Sequence, residues 1–230
     1  PAQIPYNDKL GRLDLSGNSL TNPIPPGLCN LSALQTLLLQ GNMLSSQIPW
    51  EISSLKHLSK LDLSGNLLNG SIPGSLGQCG DLTYIDLSRN NIQGSIPTAL
   101  ESLGVLDYLN LSRNQISGAI PSSFQQIQTL TSLDLSYNNL SGVIPDGGQF
   151  ATFNASSFIG NQGLCGVQLM RTNQCVNSSQ GPSLGGASHG RIRSEPALVY
   201  WAIVGAISTL TVVVFVVGVL HNKQAFCSLL

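Results

Sequence analysis

Charge is scarce in this chain. Only 9% of its 230 residues are Asp, Glu, Lys or Arg, and the formal net charge is -1. No basic stripe exists to neutralise phosphates, which excludes a nucleic-acid partner. Histidine is also rare. His57, His189 and His221 lie far apart, and neither Ser-His-Asp nor metal-ligand spacing accompanies them. No phosphate-cradling glycine loop occurs; "GGASHG" matches neither dinucleotide nor kinase glycine patterns. No active site, metal site or cofactor site is expected. The opening "PAQIPYNDKL" lacks the charged and apolar regions of a signal peptide.

What the chain has is one phrase, restated. Asn18, Asn42, Asn66, Asn90, Asn114 and Asn138 stand 24 residues apart, as do six prolines from Pro25 to Pro145, each after an isoleucine. Leucine columns run from Leu34 to Leu130, from Leu37 to Leu133 (Ile85 substitutes once) and from Leu39 to Leu135. Each L-x-L, as in Leu61-Asp62-Leu63, alternates apolar and polar and reads as a short strand with one buried face. One unit cannot bury its leucines alone, whereas units stacked about 4.8 Å apart share a continuous core. The six asparagines sit where the chain turns inward. An amide both donates and accepts there, and a carboxylate would lose the donor and bury a charge. They are expected to be scaffold. Gly70, Gly94, Gly118 and Gly142 allow a bend before each Ile-Pro, and Asn22 and Ser46 replace glycine in the first two units.

"LDLSxNxLxGxIPxxLxxLxxL" resembles the plant-type leucine-rich repeat of receptor-like kinases and receptor-like proteins, over about residues 10–175. The resemblance implies a leucine-rich-repeat α/β solenoid of six 24-residue repeats: a curved parallel β-sheet with a convex side of short 3-10 turns and loops. Residues 1–9 fall in a partial preceding repeat, because Pro1 lies one period before Pro25. The cysteine cap that family members carry at their N-terminus is absent, so a truncated sequence is expected.

The repeats span 10–145, and a cap of 146–175 follows. Phe150, Phe153 and Phe158 can cover the last leucines. Cys165 and Cys175 lie ten apart. A disulfide between them would contribute roughly 2–3 kcal/mol through loop entropy; a metal site would lack a nearby histidine. The stretch resembles the F-x-x-N-x-G-L-C-G…C cap of plant receptor ectodomains, which implies that pairing and an oxidising compartment. Cys79 occupies a leucine column and should be buried, Cys29 lies beyond disulfide reach of it, and Cys227 reads as a free thiol. Six glycosylation sequons begin at Asn30, Asn69, Asn110, Asn139, Asn154 and Asn177. Only some are expected to be used, and a glycan on Asn110, on the strand face, would block partners.

Residues 176–196 are rich in Gly, Ser and Gln and read as a flexible stem. Residues 197–220 contain no charge, and as a helix they would span roughly 36 Å, enough for a bilayer core. Tyr200 and Trp201 stand at one end, as interfacial aromatics should. Arg191 and Arg193 before the span weakly favour a cytoplasmic N-terminal side. The sequons, the expected disulfide and the resemblance place that side outside the plasma membrane. The tail of 221–230 is too short for a kinase.

Variable strand positions are where a partner would bind. One column reads Arg12, Thr36, Lys60, Tyr84, Tyr108, Ser132; another reads Gly17, Gly41, Gly65, Arg89, Arg113, Tyr137. Tyr84 with Tyr108, and Arg89 with Arg113 and Tyr137, should form neighbouring clusters of interface-prone side chains. Asp14, Asp62, Asp86 and Asp134 form a column expected to face solvent. The resulting expectation is a plant cell-surface receptor-like protein, anchored by one span, that binds a peptide or protein ligand on its concave face. It would signal through a membrane-bound co-receptor kinase. A receptor-like kinase fragment without its catalytic domain is the first alternative, and a cell-wall inhibitor of hydrolases is the second.

Overall fold

A computed structural model describes residues 9–169. The expected stem, span and tail lie outside the described residues, as do Cys175 and Asn177. Among the described residues no helix is long and apolar enough to cross a membrane.

Six three-residue strands, Arg12–Asp14, Thr36–Leu38, Lys60–Asp62, Tyr84–Asp86, Tyr108–Asn110 and Ser132–Asp134, form one parallel sheet in chain order. Equivalent residues of successive coils pair in register: Leu37 with Leu61, Leu61 with Ile85, Ile85 with Leu109. The period of 24 dictates this register, because a one-residue slip would turn the central leucine outward. From Leu37 to Leu133 these residues are buried, and the next apolar column, Leu39 to Leu135, is buried with them.

Beyond each asparagine a second strand forms, which the repeat pattern did not reveal. Thr21–Pro23, Met43–Gln47 and Leu67–Asn69 make a three-stranded parallel sheet. Gln93–Gly94, Gln115–Gly118, Asn139–Val143 and Gly163–Cys165 make a four-stranded one. The expected bend follows. The glycine column turns left-handed, and Asn22 (φ 75°) and Ser46 (φ 67°) take the same conformation in the first two coils. The buried isoleucine and its proline then start a 3-10 helix: Leu28 N–H donates to the Pro25 carbonyl (2.9 Å), and later coils repeat this bond. No α-helix occurs among the described residues, so helical structure on that side is 3-10 only.

The asparagines tie coil to coil. Asn90 Nδ2 donates to the carbonyls of Leu87 (3.1 Å) in its own coil and Leu63 (3.0 Å) in the preceding one. Its Oδ1 accepts the Leu68 N–H at 3.0 Å. Asn42, Asn66, Asn114 and Asn138 repeat these bonds; Asn18 donates only within its own coil. Asn161 is a seventh member. It accepts from Leu140 N–H and donates to Leu135 and Phe158 carbonyls, each at 3.0 Å. The cap thus continues the coil, with Phe158-x-x-Asn161 in place of Leu135-x-x-Asn138. Phe150, buried, meets Phe153 edge-on (5.5 Å) and Phe158 stacked (6.3 Å), closing the leucine spine as expected.

Cys29 and Cys79 are buried free thiols. Burial pushes Cys29 up to about 11 and raises Cys79 as well. Cys165 is disulfide-bonded.

Candidate functional site on the strand face

The strand sheet has one face on the core and one outward, and side chains of equal position stack across coils on the outward face. Lys60, Tyr84 and Tyr108 are successive partners in register. The tyrosine rings stack with centroids 4.3 Å apart and planes 5° from parallel, and Lys60 Nζ sits 4.1 Å from the Tyr84 ring.

Two residues further along each strand lies the carboxylate column. Asp62 pairs with Asp86 and Asp86 with Asn110. Asp14 is exposed, and Asp134 is half-buried. Asp62 and Asp86 are not solvent-facing, as the sequence suggested; they are buried, at 8% and 7% exposure. Neighbouring coils supply the cover. Asn110 Nδ2 (3.2 Å) and the Tyr108 hydroxyl (3.5 Å) donate to Asp86 Oδ2, while Ser88 N–H donates to Oδ1 (2.9 Å). Burial raises the Asp86 carboxyl above its ordinary value, outweighing those hydrogen bonds. Burial also raises the Tyr84 and Tyr108 phenols, with the negative charge of Asp86 adding to both. Exposed Asp14 moves the other way, because Ser16 donates to its carboxylate.

The second predicted cluster lies at the turn after the strand. Arg89 (φ 55°), Arg113 (φ 57°) and Tyr137 (φ 55°) are left-handed, like the glycines at this position in the first three coils. Their backbones are fixed by the ladder: Arg89 N–H donates to Ser112, Arg113 N–H to Ser136 and Tyr137 N–H to Ile159. Arg113 lies 4.5 Å over the exposed Tyr137 ring. Among the described residues neither arginine forms an ion pair. The structure thus joins Tyr84 to Tyr108 and Arg113 to Tyr137. The two clusters remain separate, one at the strand and one at its exit.

Sequence reasoning named Lys60 only as a column member, and it missed the Asp86–Asn110–Tyr108 network. The repeat period placed Asp86 beside Asn110 and Tyr84 beside Tyr108, but not the hydrogen bond from Tyr108 to Asp86 that runs diagonally between those columns. His57 is exposed beside Asp81 at 3.4 Å. Among the described residues no group of His, Cys, Asp and Glu could hold a metal ion. The arrangement offers aromatic faces, guanidinium donors and carboxylate acceptors in rows, which suits binding rather than bond-making.

The leucine-rich-repeat family matches residues 46–92, 56–116, 80–140 and 106–149, with single repeats at 9–31 and 33–55. No curated protein matches the chain. Among solved structures, the chain is similar to the leucine-rich-repeat ectodomain of the plant membrane receptor kinase GASSHO1/SCHENGEN3 from Arabidopsis thaliana, in complex with CASPARIAN STRIP INTEGRITY FACTOR 2. Identity is 34% over 70% of this chain and 22% of that one, with a TM-score of 0.62. It is also similar to the Arabidopsis receptor kinase HAESA ectodomain with an N-terminally extended IDA peptide hormone, at 39% identity over 68% of this chain and 26% of that one (TM-score 0.63). A third likeness is to HAESA in complex with IDA and the co-receptor SERK1, at 35% identity over 68% of this chain and 30% of that one (TM-score 0.55). The chain therefore spans less than a third of these chains' own length. It belongs to the leucine-rich-repeat family, and its repeats are of the plant type that builds such receptor ectodomains.

Proposed function

We propose that this protein is a cell-surface receptor-like protein whose strand face binds a peptide or protein ligand and a membrane-bound co-receptor kinase. The observation that carries the reading is the left-handed column. Three coils fill it with glycine, the least strained choice; the next three hold Arg89, Arg113 and Tyr137 there. A non-glycine residue in this conformation costs about 1–2 kcal/mol. Such a cost is retained where the side chain has work to do, and Arg and Tyr are frequent interface anchors. The stacked Tyr84 and Tyr108 add a second contact area on the same sheet. Of the similar ectodomains, HAESA is bound to the peptide hormone IDA, in one structure together with the co-receptor SERK1, and GASSHO1/SCHENGEN3 is bound to CASPARIAN STRIP INTEGRITY FACTOR 2. The uncharged segment 197–220 supplies a single-pass anchor, with the repeats outside the plasma membrane.

The test uses the full chain in plant membranes. Carbonate washing should leave it in the pellet; release would remove the anchor. Detergent-solubilised chain should then retain members of a secreted-peptide library or a co-receptor ectodomain. Joint replacement of Tyr84, Tyr108 and Arg113 by alanine should weaken retention at least tenfold. Equal retention by that variant sinks the assigned face, and no retention by the parent chain sinks the receptor reading. The likenesses also favour a second reading, since GASSHO1/SCHENGEN3 and HAESA are receptor kinases. A kinase coding region continuing the transcript past Leu230 would decide for it.

A further inference from the structure

The sequons are chemically equivalent in sequence and differ sharply in the fold. Glycosylation joins Asn Nδ2 to the anomeric carbon of a sugar. It breaks that carbon's bond to the diphosphate of a lipid-linked oligosaccharide and releases one amide proton. An asparagine can accept the sugar and keep its native place only if Nδ2 has a free hydrogen and an open path.

At Asn110 both ends of the amide are engaged. Nδ2 donates to Asp86 Oδ2 (3.2 Å) and the Tyr108 hydroxyl (3.4 Å), while Oδ1 accepts from Ser112 N–H (3.0 Å) and Oγ (2.7 Å). A sugar there would replace one of the two donating hydrogens beside the desolvated Asp86 and would wedge against the Tyr108 ring. Asn69 and Asn139 are different. Both are exposed, and neither side chain makes a hydrogen bond among the described residues. Asn69 ends the strand Leu67–Asn69, where Leu67 and Asn69 are exposed and Leu68 is buried, so the outer two share the outward face. Asn139 opens the strand Asn139–Val143 and is likewise exposed beside buried Leu140. Leu67, 51% exposed, is thus an apolar neighbour that a sugar on Asn69 would cover. Asn30 and Asn154 are exposed as well, and Asn154 caps a 3-10 turn through Oδ1, which a sugar on Nδ2 leaves intact.

We propose that Asn69 and Asn139 carry N-glycans and Asn110 does not, so that the second sheets bear sugar and the strand face stays bare. This rests on the extracellular reading above, because only a secretory chain meets the donor. It goes beyond that reading by sorting sequons that the sequence leaves equal.

The experiment takes the full chain from plant membranes and removes glycans with an amidase in H2-18O, which leaves labelled aspartate at each occupied site. Peptide mass spectrometry should find label at positions 69 and 139 and none at 110. In parallel, S71A and S141A, which destroy the two flank sequons, should each increase gel mobility by one glycan. S112A, which destroys the third and keeps Asn110, should leave mobility unchanged. Label at 110, or a mobility change in S112A, overturns the sorting and leaves the extracellular reading standing. Label at neither 69 nor 139 with another site labelled also overturns the sorting. No label at any sequon overturns the extracellular reading and the glycan assignment with it.

Discussion

At the residue scale, the left-handed column separates stability from binding. Arg89→Gly removes a side chain from a strained φ without disturbing a ring contact, so unfolding free energy should rise by about 1 kcal/mol, offset in part by the flexibility of glycine in the unfolded chain. Ligand or co-receptor binding should fall in the same variant. Denaturant midpoints would check the first half, and a midpoint that drops would show that Arg89 is held by contacts rather than tolerated. Asp86 makes a pH prediction. Its folded carboxyl is raised, chiefly by burial, so its favourable contribution to stability is complete below the ordinary value of 3.8 and is lost as pH rises through the folded value. Asp86→Asn should therefore stabilise the protein at pH 7, with the gain vanishing as the pH falls toward 3.8. Asn110 makes the serine hydrogen bonds at the equivalent position, so the amide in D86N can keep its bond from Ser88 N–H through Oδ1, while its Nδ2 meets the Asn110 donor and the loss of that bond offsets part of the gain. Thermal melts across pH would show it, and a D86N that destabilises at neutral pH would contradict the burial argument. Adjacency of Tyr84 and Tyr108 was legible from their spacing. Burial of Asp86 was not, because its cover comes from side chains 22 and 24 residues away.

At the scale of elements, each coil is held by one amide rather than by helix caps or hairpins. Asn90→Asp deletes two donors to buried carbonyls and brings a carboxylate within reach of them. It should cost about 3 kcal/mol in urea unfolding. The same change at Asn18, exposed and bonded only within its coil, should cost less than about 1 kcal/mol. Similar costs at both would mean that the ladder between coils contributes little. The strand and the inward asparagine were readable in one repeat, while the 3-10 turns were expected from the resemblance and their start at the proline came from the structure. The second strands were not. Segments such as Gln93–Gly94 carry no apolar alternation, and they become extended only because a neighbouring coil offers matching carbonyls and N–H groups. Asn161 was missed for a simpler reason. Its spacing from Asn138 is 23 rather than 24, although Phe158-x-x-Asn161 keeps the local pattern.

At the scale of the whole molecule, the described coils form a one-dimensional array in which each coil is stabilised by its neighbours. Among the described residues the strand Arg12–Asp14 has one neighbour in the sheet, and Leu15 beside it is 37% exposed, whereas Leu63 and Leu87 are fully buried. Hydrogen exchange in the full chain should be about 10- to 100-fold faster for Arg12–Asp14 than for Tyr84–Asp86. Uniform rates across the six strands would mean that the array opens as one unit.

The repeat period by itself determined the sheet order, the register and the apolar spine, because only stacking can bury leucines that recur every 24 residues. It also determined which polar columns would line up on the strand face. Tertiary structure alone decided which members of those columns are buried, strained or free. Those properties depend on what the next coil places a few ångströms away: a phenol hydroxyl on a carboxylate, a ladder carbonyl that fixes a left-handed turn, or an amide already committed to two acceptors.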